Sequence, residues 1–133
     1  MTYNCDITKE GETMYSVRFP DMPNVMTFGF SRSHALEMAK EALEGVLEVD
    51  LDHALEIPES KYKGGESVEV SPKIAFAIEL RKARAARSQR EVAEASGMTY
   101  QQYQRLENPK KTNPTLETLY RLQKVFNRKF LAI

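Results

Sequence analysis

Three short segments near the start of the chain alternate between apolar and polar residues, which is the pattern of strands with one buried and one solvated face. They are residues 4–7, 14–19 and 26–30, and residues 66–70 suit a later fourth strand. A glycine-containing connection at residues 9–12 suits a hairpin, and the prolines within 20–24 must interrupt the ladder. In the third segment one side carries Met26, Phe28 and Phe30. The pattern predicts a small antiparallel sheet.

From Ser31 the spacing of apolar residues changes from two to about 3.6, the period of an amphipathic helix. The apolar stripe consists of Ala35, Leu36, Ala39, Ala42, Leu43, Val46 and Leu47. Charged residues, mostly glutamates, fill the positions outside the stripe. We therefore expect one helix that covers one face of the sheet, and an α+β fold for this part of the chain.

The second half of the chain is predicted to be all helix until its last residues. Ser71 and Pro72 suit the N-cap and first turn of a helix, which divides the chain into residues 1–71 and 72–133 with hardly any linker. Apolar residues expected in the core of the last helix are Leu116, Leu119, Leu122, Val125 and Phe126. The segment Phe130–Ile133 suits a terminal strand whose exposed edge could pair with a second copy.

Residues 88–107 carry the signals of two short helices joined by a glycine turn. The spacing of a capping box occurs twice, at Ser88-x-x-Glu91 and Thr99-x-x-Gln102. Gly97 suits the left-handed residue that ends the first helix, and Tyr103 and Leu106 share an inward face of the second. The pattern indicates a helix-turn-helix. A plain helical hairpin with solvated polar faces is the alternative.

Charge divides the chain in the same place. The formal net charge is zero overall, but residues 1–72 contain six basic and fourteen acidic residues, a balance of −8. Residues 73–133 contain thirteen basic and five acidic residues, a balance of +8. A basic half joined to an acidic half is typical of a nucleic-acid-binding domain attached to a domain of another function.

Several classes of protein are disfavoured by what the sequence lacks. No apolar run has the length of a transmembrane helix and the start lacks a signal-peptide profile, so we expect a cytoplasmic protein with no membrane partner. Cys5 is the only cysteine, which excludes an internal disulfide and a thiolate-cluster metal site. We expect Cys5 to be a semi-buried strand residue.

Catalysis also finds little support in the residue pattern. Asp6, Asp21, Asp50 and Asp52 are too scattered to be assembled into the carboxylate cluster that metal-dependent nucleases need. The sequence Asp50-x-Asp52-His53 comes nearest to a metal motif, but its place at the end of an acidic helix favours a surface position. We therefore predict no catalytic residues, no metal and no cofactor.

Two strings of residues carry family resemblances. The first comprises Ser88-Gln89, Val92-Ala93, Gly97-Met98, Tyr103, Arg105-Leu106-Glu107, Asn113-Pro114-Thr115-Leu116 and Leu119, and resembles a Cro/C1-type helix-turn-helix. The second comprises Gly11, Phe19-Pro20-Asp21-Met22-Pro23, Thr27-x-Gly29, Ala35-Leu36-x-x-Ala39-Lys40-Glu41-Ala42-Leu43 and Ile57-Pro58-Glu59, and resembles the HicB antitoxin family. The resemblance implies a partial RNase H-like domain that masks a HicA-like mRNA-cleaving toxin, and a helix-turn-helix domain that represses the operon.

The helix-turn-helix resemblance implies two kinds of contact with operator DNA. The residues expected to read base edges are Tyr100, Gln101, Gln102 and Arg105. The two glutamines can pair bidentately with adenine, Arg105 can reach guanine or a phosphate, and Tyr100 can touch a thymine methyl. The residues expected to contact phosphates are Arg87, Gln89, Arg90, Lys110 and Lys111. We expect a homo-oligomer, either a dimer or a tetramer, and a dimer would read two half-sites about 34–36 Å apart.

A toxin that grips RNA must be basic, so an acidic domain can attract it and compete for its surface. We expect contacts from Glu10, Glu12, Asp21 and Met22, although these acids are equally explained as solvated charges. The alternative function is a stand-alone transcriptional regulator whose amino-terminal domain senses a ligand or dimerises.

Overall fold

The amino-terminal half is built on a four-stranded antiparallel sheet with the strand order β3-β2-β1-β4. The strands are β1 Thr2–Lys9, β2 Tyr15–Arg18, β3 Met26–Gly29 and β4 Glu66–Glu69. Ile7 lies opposite Val17, and Val17 lies opposite Thr27, so these three residues share one face. These strands belong to a computed structural model that describes residues 1–130 and that divides into two compact units, Met1–Ser71 and Pro72–Ile133.

Helix α1, Arg32–Asp52, covers one face of the sheet. Its N-cap Ser31 accepts a hydrogen bond from the backbone N–H of His34 at 3.0 Å, as expected of a serine at a helix start. The residues that it buries recur every three or four positions along one side and are Ala35, Ala39, Leu43, Leu47 and Asp50. Gly29 permits the close approach of β3 to this helix, because a Cβ there would lie 2.4 Å from the backbone nitrogen of Ala35.

The structure settles which side of β3 is buried. Gly29 faces the core, whereas Met26, Phe28 and Phe30 are 63%, 47% and 67% exposed. The predicted alternation is therefore confirmed, but its larger apolar residues form an outer surface of the domain.

Two sequence-based expectations about polar residues of this unit are wrong. Asp50 was expected at the surface but is only 9% exposed, because it continues the buried stripe of α1 one turn after Leu47. Cys5 was expected to be semi-buried and is fully buried, since it lies on the helix-facing side of the central strand β1. Burial is the main cause that raises the pKa of Cys5 to about 11.

Within residues 72–130, the second unit contains four helices. They are α2 Pro72–Arg84, α3 Gln89–Ala95, α4 Tyr100–Leu106 and α5 Leu116–Phe126. Their shared core is made by the buried residues Phe76, Leu80, Val92, Ala93, Tyr103, Leu106, Leu122 and Phe130. The unit is the all-helical domain that the sequence predicted.

Helix α5 departs from its predicted core pattern. Leu122 is fully buried, but Leu116 is 83% exposed. Leu116 is the first residue of the helix after the N-cap Thr115, and at this end the helix has not yet reached the core. The prediction that Leu116 is a core residue is therefore wrong.

Phe130 lies at the end of the described residues. It is 2% exposed and packs edge-to-face against Phe76 and Phe126, with ring centroids 6.0 and 5.8 Å away. Phe130 thus belongs to the core of the helical unit, while residues 131–133 of the predicted terminal strand lie outside the described residues. Over residues 1–130, no helix is long and apolar enough to cross a membrane.

Candidate nucleic-acid and protein interfaces

Side-chain caps fix the starts of α3 and α4. Ser88 Oγ accepts from the backbone N–H of Glu91 at 3.0 Å. Thr99 and Gln102 form a complete capping box, in which Thr99 Oγ1 accepts from Gln102 N–H at 3.1 Å and Gln102 Oε1 accepts from Thr99 N–H at 3.0 Å. Gly97 has a φ of +71°, so it is the left-handed residue between the two helices. These bonds fix where α3 and α4 begin, and α4 is the helix that was predicted to read base edges.

The capping box changes the roles of two neighbouring glutamines. Bidentate recognition of adenine needs the amide oxygen and nitrogen of a glutamine together. In Gln102 the oxygen already closes the helix start, whereas Gln101 is an exposed residue of the first turn. Of the two glutamines predicted to read bases, Gln101 is therefore better placed.

Arg90 and Tyr100 connect the first turns of α3 and α4. The guanidinium carbon of Arg90 lies 4.2 Å from the centroid of the Tyr100 ring, a cation–π distance. The Tyr100 hydroxyl in turn accepts from Gln104 Nε2 at 3.4 Å. Tyr100 thus supports Arg90, which was predicted to contact phosphate. Tyr100 itself was predicted to contact a base.

A largely buried ion pair, Arg84 with Glu107, connects α4 of the helix-turn-helix to the preceding helix α2. Arg84 Nε and Nη2 donate to Glu107 Oε2 and Oε1 at 2.7 and 3.0 Å, with side chains only 18% and 6% exposed. The hydrogen bonding with Glu107 is the main cause that raises the pKa of Arg84. Burial raises the pKa of the neighbouring Tyr103 hydroxyl above its usual range. The pair joins the end of α2 to the end of α4.

Gln89 is tied to the same carboxylate. Its Nε2 donates to Glu107 Oε1 at 3.3 Å, so the side chain at the start of α3 is held by the end of α4. Arg84 Nη1 also donates to the backbone carbonyl of Arg87 at 2.8 Å. Arg84 was not among the sequence-predicted site residues. The sequence near Arg84 shows only an arginine four positions before Ser88. Its partner Glu107 lies 23 residues away, so no local pattern identifies the pair.

The other predicted phosphate-contacting residues are at the surface. Arg87 and Arg90 are exposed on either side of the start of α3, and Lys110 and Lys111 are exposed in the turn after α4. That turn is organised by Asn108, whose Oδ1 accepts from Lys110 N–H at 3.0 Å. Arg105 is exposed on α4 itself. Exposed cations therefore lie near both the start and the end of α4.

In the sheet unit, the Asp21 carboxylate links two loops. Its Oδ2 accepts from the backbone N–H groups of Lys61 and Tyr62, both at 2.9 Å, and so fastens the loop before β4 to the proline-containing loop after β2. Met22 is 1% exposed and belongs to the core. Burial leaves the Met22 side chain no surface to offer a partner in this conformation.

Glu10 and Glu12 lie in the exposed connection between β1 and β2. Glu10 Oε1 accepts from Ser16 Oγ at 2.7 Å, which orders the start of this connection against β2. Of the residues predicted to meet a toxin, these two glutamates are the ones whose side chains are fully at the surface.

The dispersed carboxylates do not converge. Asp6 accepts from the Tyr62 hydroxyl at 2.6 Å, and Asp21 is occupied by backbone N–H groups. Within residues 1–130, no group of three or more His, Cys, Asp or Glu side chains is placed to hold a metal ion.

Each of the two units matches a known protein family. A family model described as the HicB-like antitoxin of a bacterial toxin–antitoxin system matches residues 2–80. A helix-turn-helix model matches residues 78–133. The first match covers more than half of the chain, so the protein belongs to the HicB-like antitoxin family.

A curated relative supports this membership. Antitoxin HicB 2 of Photorhabdus laumondii subsp. laumondii is 39% identical over 69 residues, which are 52% of this chain and 50% of the relative. The chain thus matches about half the length of that relative.

Proposed function

We propose that this protein is the antitoxin of a type II toxin–antitoxin pair. Its sheet unit binds and masks a small, basic, HicA-like mRNA-cleaving toxin, and its helical unit binds the operator and represses the operon. The observation that carries the proposal is the HicB-like match over residues 2–80, followed directly by a helix-turn-helix match over residues 78–133. We further propose that the protein is non-catalytic and acts in the cytoplasm.

Charge supports the toxin-binding role of the sheet unit. A balance of −8 over residues 1–72 attracts a basic RNA-binding protein over distances comparable with the Debye length. Glu10 and Glu12 are exposed in the β1–β2 connection and contribute to this field. Asp21 contributes mainly by holding the surface in shape, because its carboxylate is committed to two backbone N–H groups.

In the helical unit, we assign base reading chiefly to Gln101 and Arg105. Gln101 lies in the first turn of α4, the part of a recognition helix that enters the major groove. Phosphate contacts come from Arg87, Gln89, Arg90, Lys110 and Lys111, with Gln89 positioned by Glu107 and Arg90 by Tyr100. A dimer brings two such helices to half-sites about one DNA turn apart.

The proposal is tested in cells with the short basic open reading frame expected beside this gene. Its product is induced alone and together with the intact antitoxin. The antitoxin is expected to restore growth, and growth arrest that persists with the antitoxin present overturns the toxin-binding role. Repression of a reporter behind the upstream region is scored in the same strains. Repression without rescue would instead favour a stand-alone regulator.

A further inference from the structure

The chain passes from the sheet unit to the helical unit within Val70, Ser71 and Pro72, here called the junction. Val70 is still held by the sheet unit, because its N–H donates to the carbonyl oxygen of Met1 at 2.9 Å. Pro72 is already the first residue of α2, and proline has no N–H to donate. Ser71 therefore offers the last backbone N–H through which the sheet unit can restrain the chain before α2 begins.

That N–H is held by a side chain of α1. Ser71 N–H donates to Glu44 Oε2 at 2.7 Å, and the two residues are 27 positions apart in sequence. The bond is partly buried and its acceptor is a carboxylate. Hydrogen bonds to charged acceptors are shorter and stronger than those between neutral groups. One carboxylate of the sheet unit thus fixes the residue that directly precedes the helical unit.

Glu44 belongs to a row of glutamates on α1. Glu37, Glu41, Glu44 and Glu48 follow one another at spacings of four, three and four, so they lie along one side of the helix. Such a row is the ordinary solvated face of a surface helix. Glu37 and Glu41 are indeed exposed, whereas Glu44 is half-buried. The bond to Ser71 gives Glu44 a role that solvation does not explain, and it makes the exposed Glu41 a matched control.

We propose that Glu44 is a positioning residue for operator binding, which it promotes by restraining the junction. This inference rests on the proposed dimer and its operator. Two recognition helices that must reach two half-sites at once bind more tightly when the segments that carry them are already restrained, because less conformational freedom is lost on binding. Binding to a single half-site makes no such demand. Glu44 therefore strengthens binding to the whole operator and leaves binding to half of it unchanged.

The sign of this effect separates it from a simple effect of charge. A carboxylate repels the phosphates of DNA, so the removal of a glutamate strengthens DNA binding if charge alone acts. The restraint of the junction predicts the opposite result for Glu44, since its removal frees the junction. Glu41→Ala removes the same charge from the same side of α1 without touching the junction, and so measures the effect of charge alone.

The first experiment measures amide hydrogen exchange at the junction by NMR of the intact protein without DNA. We expect the Ser71 amide to exchange roughly tenfold faster in Glu44→Ala, the equivalent of one lost hydrogen bond to a charged acceptor. Glu44→Gln keeps an acceptor oxygen and is expected to lie between Glu44→Ala and the unmodified protein. The Val70 amide, which is bonded to Met1, is the internal reference. Equal exchange of Ser71 in Glu44→Ala and Glu41→Ala overturns the proposal.

The second experiment compares binding to two DNA duplexes by fluorescence anisotropy. One is the duplex upstream of the gene that the unmodified protein protects in footprinting, and the other is the same duplex with one half-site scrambled. We expect Glu44→Ala to bind the intact duplex roughly tenfold more weakly than Glu41→Ala, and the scrambled duplex equally well.

The remaining outcomes contradict the proposal in distinguishable ways. If Glu44→Ala binds both duplexes more weakly by the same factor, Glu44 acts through the stability of the helical unit and has no positioning role. If Glu44→Ala binds the intact duplex as tightly as Glu41→Ala, the junction has no influence on operator binding. If the unmodified protein itself binds no upstream DNA, the proposed operator binding fails, and the positioning role fails with it.

Discussion

The Glu107 carboxylate accepts hydrogen bonds from Arg84 Nε and Nη2 and from Gln89 Nε2, so it joins the ends of α2 and α4 to the start of α3. A largely buried carboxylate therefore fixes the relative positions of the helices that carry the proposed DNA-binding surface. We therefore expect a change in this ion pair to alter both the stability of the helical unit and its proposed DNA-binding surface.

Removing one member of that ion pair should destabilise the helical unit. Arg84→Ala leaves the buried Glu107 carboxylate uncompensated, which typically costs about 3–5 kcal/mol. Arg121→Ala is the control, because its pair with Glu117 is exposed and is worth less than about 0.5 kcal/mol. Hydrogen exchange of backbone amides in α2–α5 measures both changes. Similar protection in the two variants would show that the pair contributes little.

Base reading and phosphate contact should separate in two DNA-binding variants. Gln101→Ala is expected to reduce the preference for operator over random DNA. Lys110→Ala should weaken binding to both DNAs. Loss of one phosphate contact should also reduce the slope of log binding constant against log salt concentration by about 0.9. Fluorescence anisotropy across a salt series gives both quantities. If the two variants affect both DNAs equally, the assignment of roles is wrong.

Tyr100 and Arg90 should behave as one unit in binding. Tyr100→Leu removes the ring that supports the guanidinium, and Arg90→Ala removes the charge itself. We expect each single variant to weaken binding to operator and random DNA, and the double variant to lose less than the sum of the two. Such non-additivity is the signature of contacting residues. Strictly additive losses would show that Tyr100 acts on DNA independently of Arg90.

Asp21 should matter more to the fold of the sheet unit than to direct contact with a partner. Asp21→Ala leaves the N–H groups of Lys61 and Tyr62 without their acceptor, a loss of about 1–3 kcal/mol. Glu12→Ala is the matched removal of an exposed carboxylate and should leave the unfolding free energy nearly unchanged while weakening toxin binding. Denaturant unfolding and calorimetric titration with toxin separate the two effects. An unaltered stability of Asp21→Ala would refute its structural role.

The burial of Cys5 predicts an alkaline loss of stability. Its folded pKa is raised from 9.0 to about 11, so the native state favours the neutral thiol. The resulting stabilisation is complete below pH 9 and is lost as the pH rises towards 11, because the unfolded chain ionises first. Unfolding midpoints of the protein and of Cys5→Ala, measured from pH 8 to pH 11, should converge as the pH rises. Parallel curves would mean that the thiol ionises equally in both states.

Local signals in the sequence were sufficient for most of the fold. The strands followed from alternation, α1 from its apolar stripe, and α4 from the Thr99–Gln102 spacing. The failures concern burial, which depends on neighbours distant in sequence. Leu116 has the apolar character of a core residue but lies at the exposed start of α5. Asp50 has the character of a surface residue but continues a buried stripe.

The site was only partly predictable for the same reason. Spacing predicted Gln102 as a capping residue, and the helix-turn-helix resemblance implied that it reads bases. Only the structure shows that the cap occupies its amide oxygen. Arg84 and Glu107 are 23 residues apart, so no local pattern pairs them. The RNase H-like relationship of the sheet unit and its contacts with a toxin stay predictions.

The central claim is that the intact protein neutralises an mRNA-cleaving partner. The most direct measurement is cleavage of a labelled mRNA by the purified product of the neighbouring gene, titrated with the purified antitoxin. We predict that cleavage falls in proportion to added antitoxin and stops at a fixed stoichiometric ratio, with Glu12→Ala needing a higher concentration. Cleavage that continues undiminished at an excess of the antitoxin would contradict the account.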